Sequence, residues 1–280
     1  MYWGYTSLVK VGRFWSFVVI SLVCSCSKSS NSHADNETIT VHVAASLSGV
    51  IQELGEAHKA SGGSAVETNI AGSGALARQI IAAPRGELFL SANEHWMNSA
   101  SDAGSIESET VVSFLTNQLV LVVPTGSNLA TTERERLCEL TLEHLCIGDP
   151  SHVPAGTYAK AWLQDMECGE GETLWSKWKD KVIPAGDVRA ALAQVLAVSD
   201  GVAVVYKTDY LARSAELEMI YGVPIEDAPP IQYFAGRISG TEKAQATNDF
   251  LAFMNSPEGR SILAKHGFGS PSALSLAHPE

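Results

Sequence analysis

The stretch Ile39-Thr40-Val41-His42-Val43-Ala44-Ala45-Ser46-Leu47-Ser48-Gly49-Val50-Ile51-Gln52-Glu53-Leu54 decides the fold, because its hydrophobic period changes halfway. Ile39, Val41 and Val43 alternate with Thr40 and His42, the period of two that marks a strand. From Leu47 onward the apolar positions are Leu47, Val50, Ile51, Leu54 and Ala57, the spacing of one helix face. The same rhythm then repeats. Gly62-Gly63 breaks the helix, Val66 to Ile70 reads as a second strand, and Ala71-Gly72-Ser73-Gly74 turns into a helix carrying Leu76, Ile80 and Ile81. A third strand, Leu88-Phe89-Leu90-Ser91, precedes a helix that starts near Asn93. Strict alternation of strand and helix predicts an α/β fold with mainly parallel sheets flanked by helices.

Further along, the continuous apolar run Leu119 to Val123 has the composition of a fully buried strand. The rhythm restarts with a strand at Leu145 to Gly148, a helix from about Ala155 to Met166, a helix from Asp187 to Val198 and a strand at Val202 to Tyr206. Ile231 to Ile238 reads as another strand. Ser256-Pro257-Glu258 then opens the closing helices with a cap, a proline at the first helical position and an acid in the first turn. Two α/β units joined through extended strands imply two lobes with a cleft between them. The expected division puts residues 38–118 and 230–280 in the first lobe and 119–229 in the second, with crossings near Asn117 to Pro124 and Ala228 to Gly236.

The chain has 280 residues, 45% of them apolar and 18% charged, enough to bury a core in both lobes. Its formal net charge is −12, with no basic stripe, which excludes nucleic acid as a partner. Lys10 and Arg13 precede an apolar run from Phe14 to Cys24. That run is shorter than the ~20 residues a bilayer span requires, and it has the form of a secretory leader over residues 1–25. Val23-Cys24-Ser25-Cys26 resembles a bacterial lipobox, in which Cys26 carries the lipid and residues 26–37 form a polar tether. Plain cleavage nearby, giving a free soluble protein, is the other reading. Cleavage before Cys26 would also remove Lys10 and Arg13, making an acidic chain more so. Such a protein repels anions at long range, so any anion it binds must be held by short-range dipoles.

Cys138, Cys146 and Cys168 remain in the folded part, an odd and irregularly spaced set that is neither a disulfide framework nor a metal signature. Cys146, within Leu145-Cys146-Ile147, reads as a small buried hydrophobe. A Cys138–Cys146 bridge stays open in an oxidising compartment.

Four segments place a loop immediately before a helix: Ala45-Ser46-Leu47-Ser48, Gly72-Ser73-Gly74-Ala75, Val153-Pro154-Ala155-Gly156 and Gly186-Asp187-Val188-Arg189. A helix start offers unpaired N–H groups and about half a positive charge, which suits an anion. Taken singly, Ser46 and Asp187 read as helix caps, Pro154 as a helix starter and Gly72-Ser73-Gly74 as a tight turn. Recurrence in both halves is what favours an anion site, since two lobes can aim helix ends into one cleft. Catalysis would need a nucleophile with its base, paired carboxylates or metal ligands. The eight histidines are scattered, and His152, beside one of the segments, reads as structural, so a binding protein is expected rather than an enzyme.

These segments carry a resemblance to the periplasmic molybdate-binding proteins of bacterial molybdate ABC transporters. The matching runs are Val43-Ala44-Ala45-Ser46-Leu47, Gly72-Ser73-Gly74-Ala75-Leu76-Ala77-Arg78-Gln79 and Glu87-Leu88-Phe89-Leu90-Ser91-Ala92 with Trp96-Met97. In the second half they are Gly148-Asp149-Pro150-Ser151-His152-Val153-Pro154-Ala155-Gly156, Asp187-Val188-Arg189-Ala190-Ala191-Leu192 and Gly201-Val202-Ala203-Val204-Val205-Tyr206. The likeness runs in order from about Ile39 to Phe268. It implies a two-lobed periplasmic-binding-protein-like fold of type II, a molybdate or tungstate ligand, and a membrane permease as partner, with sulfate or phosphate as the alternative cargo. It also implies the ligand set: Ser46 and Ser73 from one lobe, and the N–H groups of Ala155 and Val188 with the Tyr206 hydroxyl from the other. Molybdenum would be bound only as the oxyanion, with no cofactor and no direct protein–metal bond. The protein would act as a monomer in the cell envelope, anchored through Cys26. Gly72 and Gly74 stand where the family has small polar residues, and Gly86-Glu87 where it has Ala-Asp; the matching serine is kept.

Overall fold

The computed structural model describes Met1, Gly4 and residues 38–129 and 133–271. The expected leader (1–25), Cys26 and the tether (26–37) lie outside the described residues.

The opening strand, β1 (Ile39–Ala44), alternates in sequence but is buried at all positions except Thr40. It is a central strand covered on both faces, and the polar His42 is accommodated by bonds from its ring to the Arg85 carbonyl (2.7 Å) and the Asn69 amide (3.0 Å). One 3-10 turn, Ala45–Leu47, leads into α1 (Ser48–Ala60). Then follow β2 (Val66–Ala71), α2 (Ser73–Ala82), β3 (Leu88–Ser91), α3 (Glu94–Asp102) and β4 (Val112–Thr116). After Asn117 and Gln118 the chain leaves this sheet. β5 (Leu119–Pro124), β6 (His144–Gly148), α4 (Pro154–Asp165), the hairpin β7 (Glu167–Gly169) and β8 (Glu172–Thr173), and α5 (Leu174–Trp178) come next. They are followed by β9 (Val182–Ala185), α6 (Val188–Ala197), β10 (Gly201–Tyr206), α7 (Lys207–Leu211) and β11 (Leu217–Gly222). The chain then returns to the first sheet as β12 (Gln232–Arg237) and finishes with α8 (Ala244–Asn255) and α9 (Pro257–Lys265).

The first sheet has the order β2-β1-β3-β12-β4 and the second β11-β5-β10-β6-β9. Each has a parallel trio, β2-β1-β3 and β10-β6-β9, built by helical crossovers. Each also has one strand antiparallel to both of its neighbours, β12 between β3 and β4 and β5 between β10 and β11. β5 and β12 are the strands by which the chain enters one sheet directly from the other, with no crossover helix to bring it back in the parallel direction. The two crossings lie side by side, with the Asn117 N–H bonded to the Ile231 carbonyl (3.2 Å) and the Val223 N–H to the Leu119 carbonyl (3.0 Å). The fold is thus the expected two-lobed α/β architecture. Leu76, Ile80, Phe89, Met97 and Phe234 fill the layer between the first sheet and α2 and α3, while the remaining core is continuous through both lobes.

The cysteine reading is corrected. Cys138 is bonded to Cys168, with Cα atoms 5.5 Å apart, and Cys146 is free. Cys146 lies in β6 with no exposed surface, where burial raises its thiol pKa to about 11 and leaves it inert. Its side chain packs in the core, out of reach of Cys138, which lies on a surface 3-10 turn that meets the β7 hairpin.

Candidate functional site

The parallel strands of both sheets deliver their carboxyl ends to the cleft, the place where open α/β sheets take ligands. β1 ends at Ala44 and β2 at Ala71 in one lobe; β6, β9 and β10 end at Gly148, Ala185 and Tyr206 in the other. The loops that follow enclose one cavity of about 10 Å³. On the scale where a single buried water needs ~10–15 Å³, it has room for about one water as the loops stand.

All five residues expected from the sequence line this cavity: Ser46, Ser73, Ala155, Val188 and Tyr206. Ser46 sits in the 3-10 turn after β1, and Ser73 is the first residue of α2. Ala155 and Val188 belong to the first turns of α4 and α6, where N–H groups have no intrahelical acceptor. Asp187 caps α6, accepting from the Ala190 N–H at 2.8 Å, so its carboxylate is engaged by its own helix. The ring of His152 bonds to Ser151 Oγ (3.0 Å) within its own loop, in keeping with a structural role.

The hydroxyls are arranged to donate. Ser73 Oγ accepts a hydrogen bond from the Ala92 N–H (3.0 Å), and Ser46 Oγ accepts one from the Tyr233 hydroxyl (3.0 Å). With one lone pair of each oxygen taken from behind, its hydrogen is left to turn toward the cavity. Tyr206 is fully buried, and its hydroxyl has no partner among the described residues. Burial, and then the neighbouring Tyr233, Tyr158 and Asp209, raise its pKa well above the ordinary phenol value, so the group keeps its proton. Sequence reasoning missed Tyr233, which acts from behind the lining, and Ala92, which lines the cavity from the loop between β3 and α3.

The two lobes meet at glycine. A Cβ on Gly72 would come within 2.7 Å of the Gly186 carbonyl oxygen across the cleft, and one on Gly74 within 2.4 Å of the His152 carbonyl oxygen. Gly72 has φ −62° and ψ 140°, which any residue adopts, so the requirement there is for space.

Behind Tyr206 a buried acid meets a partly exposed arginine. Asp209, at the start of α7, has no exposed side-chain surface, and one of its oxygens is 2.9 Å from Arg189 Nε on α6. The Arg189 N–H is not aligned with that oxygen, so this is a charge contact rather than a formed hydrogen bond. Desolvation raises the Asp209 pKa to about 7 against the opposing pull of Arg189. Among the described residues, no group of three or more His, Cys, Asp or Glu is placed to hold a metal ion.

The site can therefore hold a small anion by neutral donors alone. The family described as bacterial extracellular solute-binding protein matches residues 39–269. The molybdate-binding protein ModA of Escherichia coli K12 is 31% identical over 262 residues, 92% of this chain and 99% of that one. The putative ABC transporter substrate-binding lipoprotein YvgL of Bacillus subtilis 168 is 30% identical over 246 residues, 88% of this chain and 91% of that one. Among solved structures, the periplasmic molybdate-binding protein of Azotobacter vinelandii shares the fold, with a TM-score of 0.72 at 19% identity, over 84% of this chain and 100% of that one. The substrate-binding domain of a putative molybdenum ABC transporter from Clostridium difficile gives 0.65 at 25% identity, over 84% and 99%. With the family matched across both lobes and relatives aligned along nearly the whole chain, this protein belongs to the bacterial extracellular solute-binding proteins.

Proposed function

We propose that this chain captures molybdate or tungstate outside the cytoplasmic membrane and hands it to the permease of an ABC importer, binding the anion without transforming it. The observation that carries this reading is the donor inventory of the cavity: the Ser46, Ser73 and Tyr206 hydroxyls and the first-turn N–H groups of α4 and α6, with no engaged cation. Molybdate is a dianion that only accepts hydrogen bonds, and bonds to a charged acceptor are stronger than neutral ones. Phosphate near neutral pH carries a proton that needs an acceptor, and the nearby carboxylate of Asp187 is turned onto its own helix. That mismatch costs roughly 1–3 kcal/mol. Sulfate is smaller, so its oxygens reach fewer donors at once.

Calorimetric titration with molybdate, tungstate, sulfate and phosphate tests the reading. Tight binding of the first two and weak binding of the last two supports it; phosphate competing at concentrations similar to molybdate moves the assignment to a phosphate carrier. The same reading has the lobes, divided at 119 and 229, closing on the anion about the paired crossings, a monomer as the working unit, and a lipid on Cys26 as the anchor. Compaction on adding molybdate, seen by small-angle scattering, and loss of palmitate labelling in Cys26→Ser check closure and anchor in turn.

A further inference from the structure

Ser46 is served by a buried chain of hydrogen bonds that starts at the crossing between the lobes. The Asn117 amide nitrogen donates to the Tyr233 hydroxyl (3.1 Å) and also to Thr208 Oγ1 (2.9 Å). The Asn117 amide oxygen accepts from the Gln118 N–H (2.9 Å), which fixes which end of the amide faces Tyr233. Tyr233 has spent its acceptor side on Asn117, so its one hydrogen goes to Ser46 Oγ at 3.0 Å. Tyr233 has no exposed surface, and burial foremost, then the nearby Asp209, raises its pKa, so the phenol is a permanent donor. The three residues come from distant places: the crossing after β4, the start of β12 and the turn after β1. Thr208 belongs to α7 of the other lobe, so Asn117 holds one hydroxyl in each lobe.

We infer that Asn117 and Tyr233 are positioning residues for the oxyanion site: they hold Ser46 Oγ in place, polarise its O–H toward the cavity and tie that hydroxyl to the interlobe crossing. This rests on the oxyanion reading above. Hydrogen bonds in series strengthen one another, so a donor acting on Ser46 from behind makes Ser46 a better donor in front. Ser73 receives the equivalent bond from the Ala92 backbone N–H, which no side-chain change short of proline removes, so Ser46 is the serine whose donor strength the sequence can tune.

The test is a double-mutant cycle read by calorimetry with sodium molybdate. Tyr233→Phe keeps the ring and deletes the hydroxyl, and should weaken molybdate binding by about tenfold. On a Ser46→Ala background the same change should cost nothing further, because Tyr233 acts only through Ser46. Asn117→Asp presents an acceptor to Tyr233 and draws its proton away from Ser46, and should reproduce the loss in the wild-type background while losing most of it in Ser46→Ala. Thermal unfolding without ligand reports folding; if Tyr233→Phe does not fold, the Asn117→Asp pair alone decides. An equal loss in both backgrounds, or no loss in the wild-type background, overturns the relay while leaving the oxyanion site standing. A wild-type protein that binds none of molybdate, tungstate and sulfate overturns both.

Discussion

Replacing Asp209 by Asn removes the one fully buried carboxylate among the described residues, and the structure sets both the sign and the size of the result. The side chain has no exposed surface, and its pKa stands at about 7 against an ordinary 3.8. Between those limits the native protein holds a proton that the unfolded chain has released, so stability falls as pH rises through the window and levels off above about 7. At about 1.4 kcal/mol for each pH unit, the whole window is worth on the order of 4 kcal/mol. Asparagine keeps the shape and cannot titrate, so its own contribution does not vary with pH over this range. The difference in unfolding free energy between wild type and Asp209→Asn therefore isolates this one group from every other titration. Urea denaturation of both proteins from about pH 4.5 to about pH 7.5 measures it. The wild type should lose ground to the variant up to about pH 7 and hold level beyond it. A difference that stays constant would refute the reasoning and mean that Arg189 keeps Asp209 ionised throughout.

Three further outcomes are expected. Cys138→Ser opens a bridge spanning 30 residues, which should cost about 3–4 kcal/mol in denaturation experiments while leaving molybdate binding measurable. Ser73→Ala should weaken molybdate binding by roughly 1.5–3 kcal/mol, whereas Val188→Ala should cost far less, because only its N–H faces the anion; equal losses by calorimetry would reject the backbone role. His58 is buried with neither ring nitrogen partnered among the described residues, packed 5.2 Å from the rings of Phe250 and Phe253, and desolvation lowers its pKa against the opposing pull of Asp249. The unfolded chain gains a proton there before the folded one does, so stability is lost as pH falls below about 6.5, and His58→Phe should move the acid-unfolding midpoint to lower pH.

Much of this was legible in the sequence because it depends on near neighbours. The switch of period between Val43 and Leu47 marks strand and helix regardless of what surrounds them, and a helix start exposes its N–H groups whatever it faces. Those local rules placed four loops before four helices, and Ser46, Ser73, Ala155 and Val188 all came to line the cavity. Tyr206 was reached by family resemblance, and its unpartnered hydroxyl supplies the physical reason afterwards. The edge strands β9 and β11 went unseen: neither has a fully buried or cleanly alternating face, so no period of two stands out. β4 and the Cys138–Cys168 bond likewise needed the folded chain.

What the sequence by itself determined, then, was the α/β class, the order of its units and the loops that furnish donors, all properties of residues within a few positions of one another. Only the tertiary structure decided how those donors are aimed. Tyr233 reaches Ser46 across 187 positions, Asn117 reaches Tyr233 across 116, and Arg189 meets Asp209 from a different helix. Such pairings are set by how two sheets close on each other, and a hydrogen bond between distant residues imposes no period, spacing or composition on the chain between them.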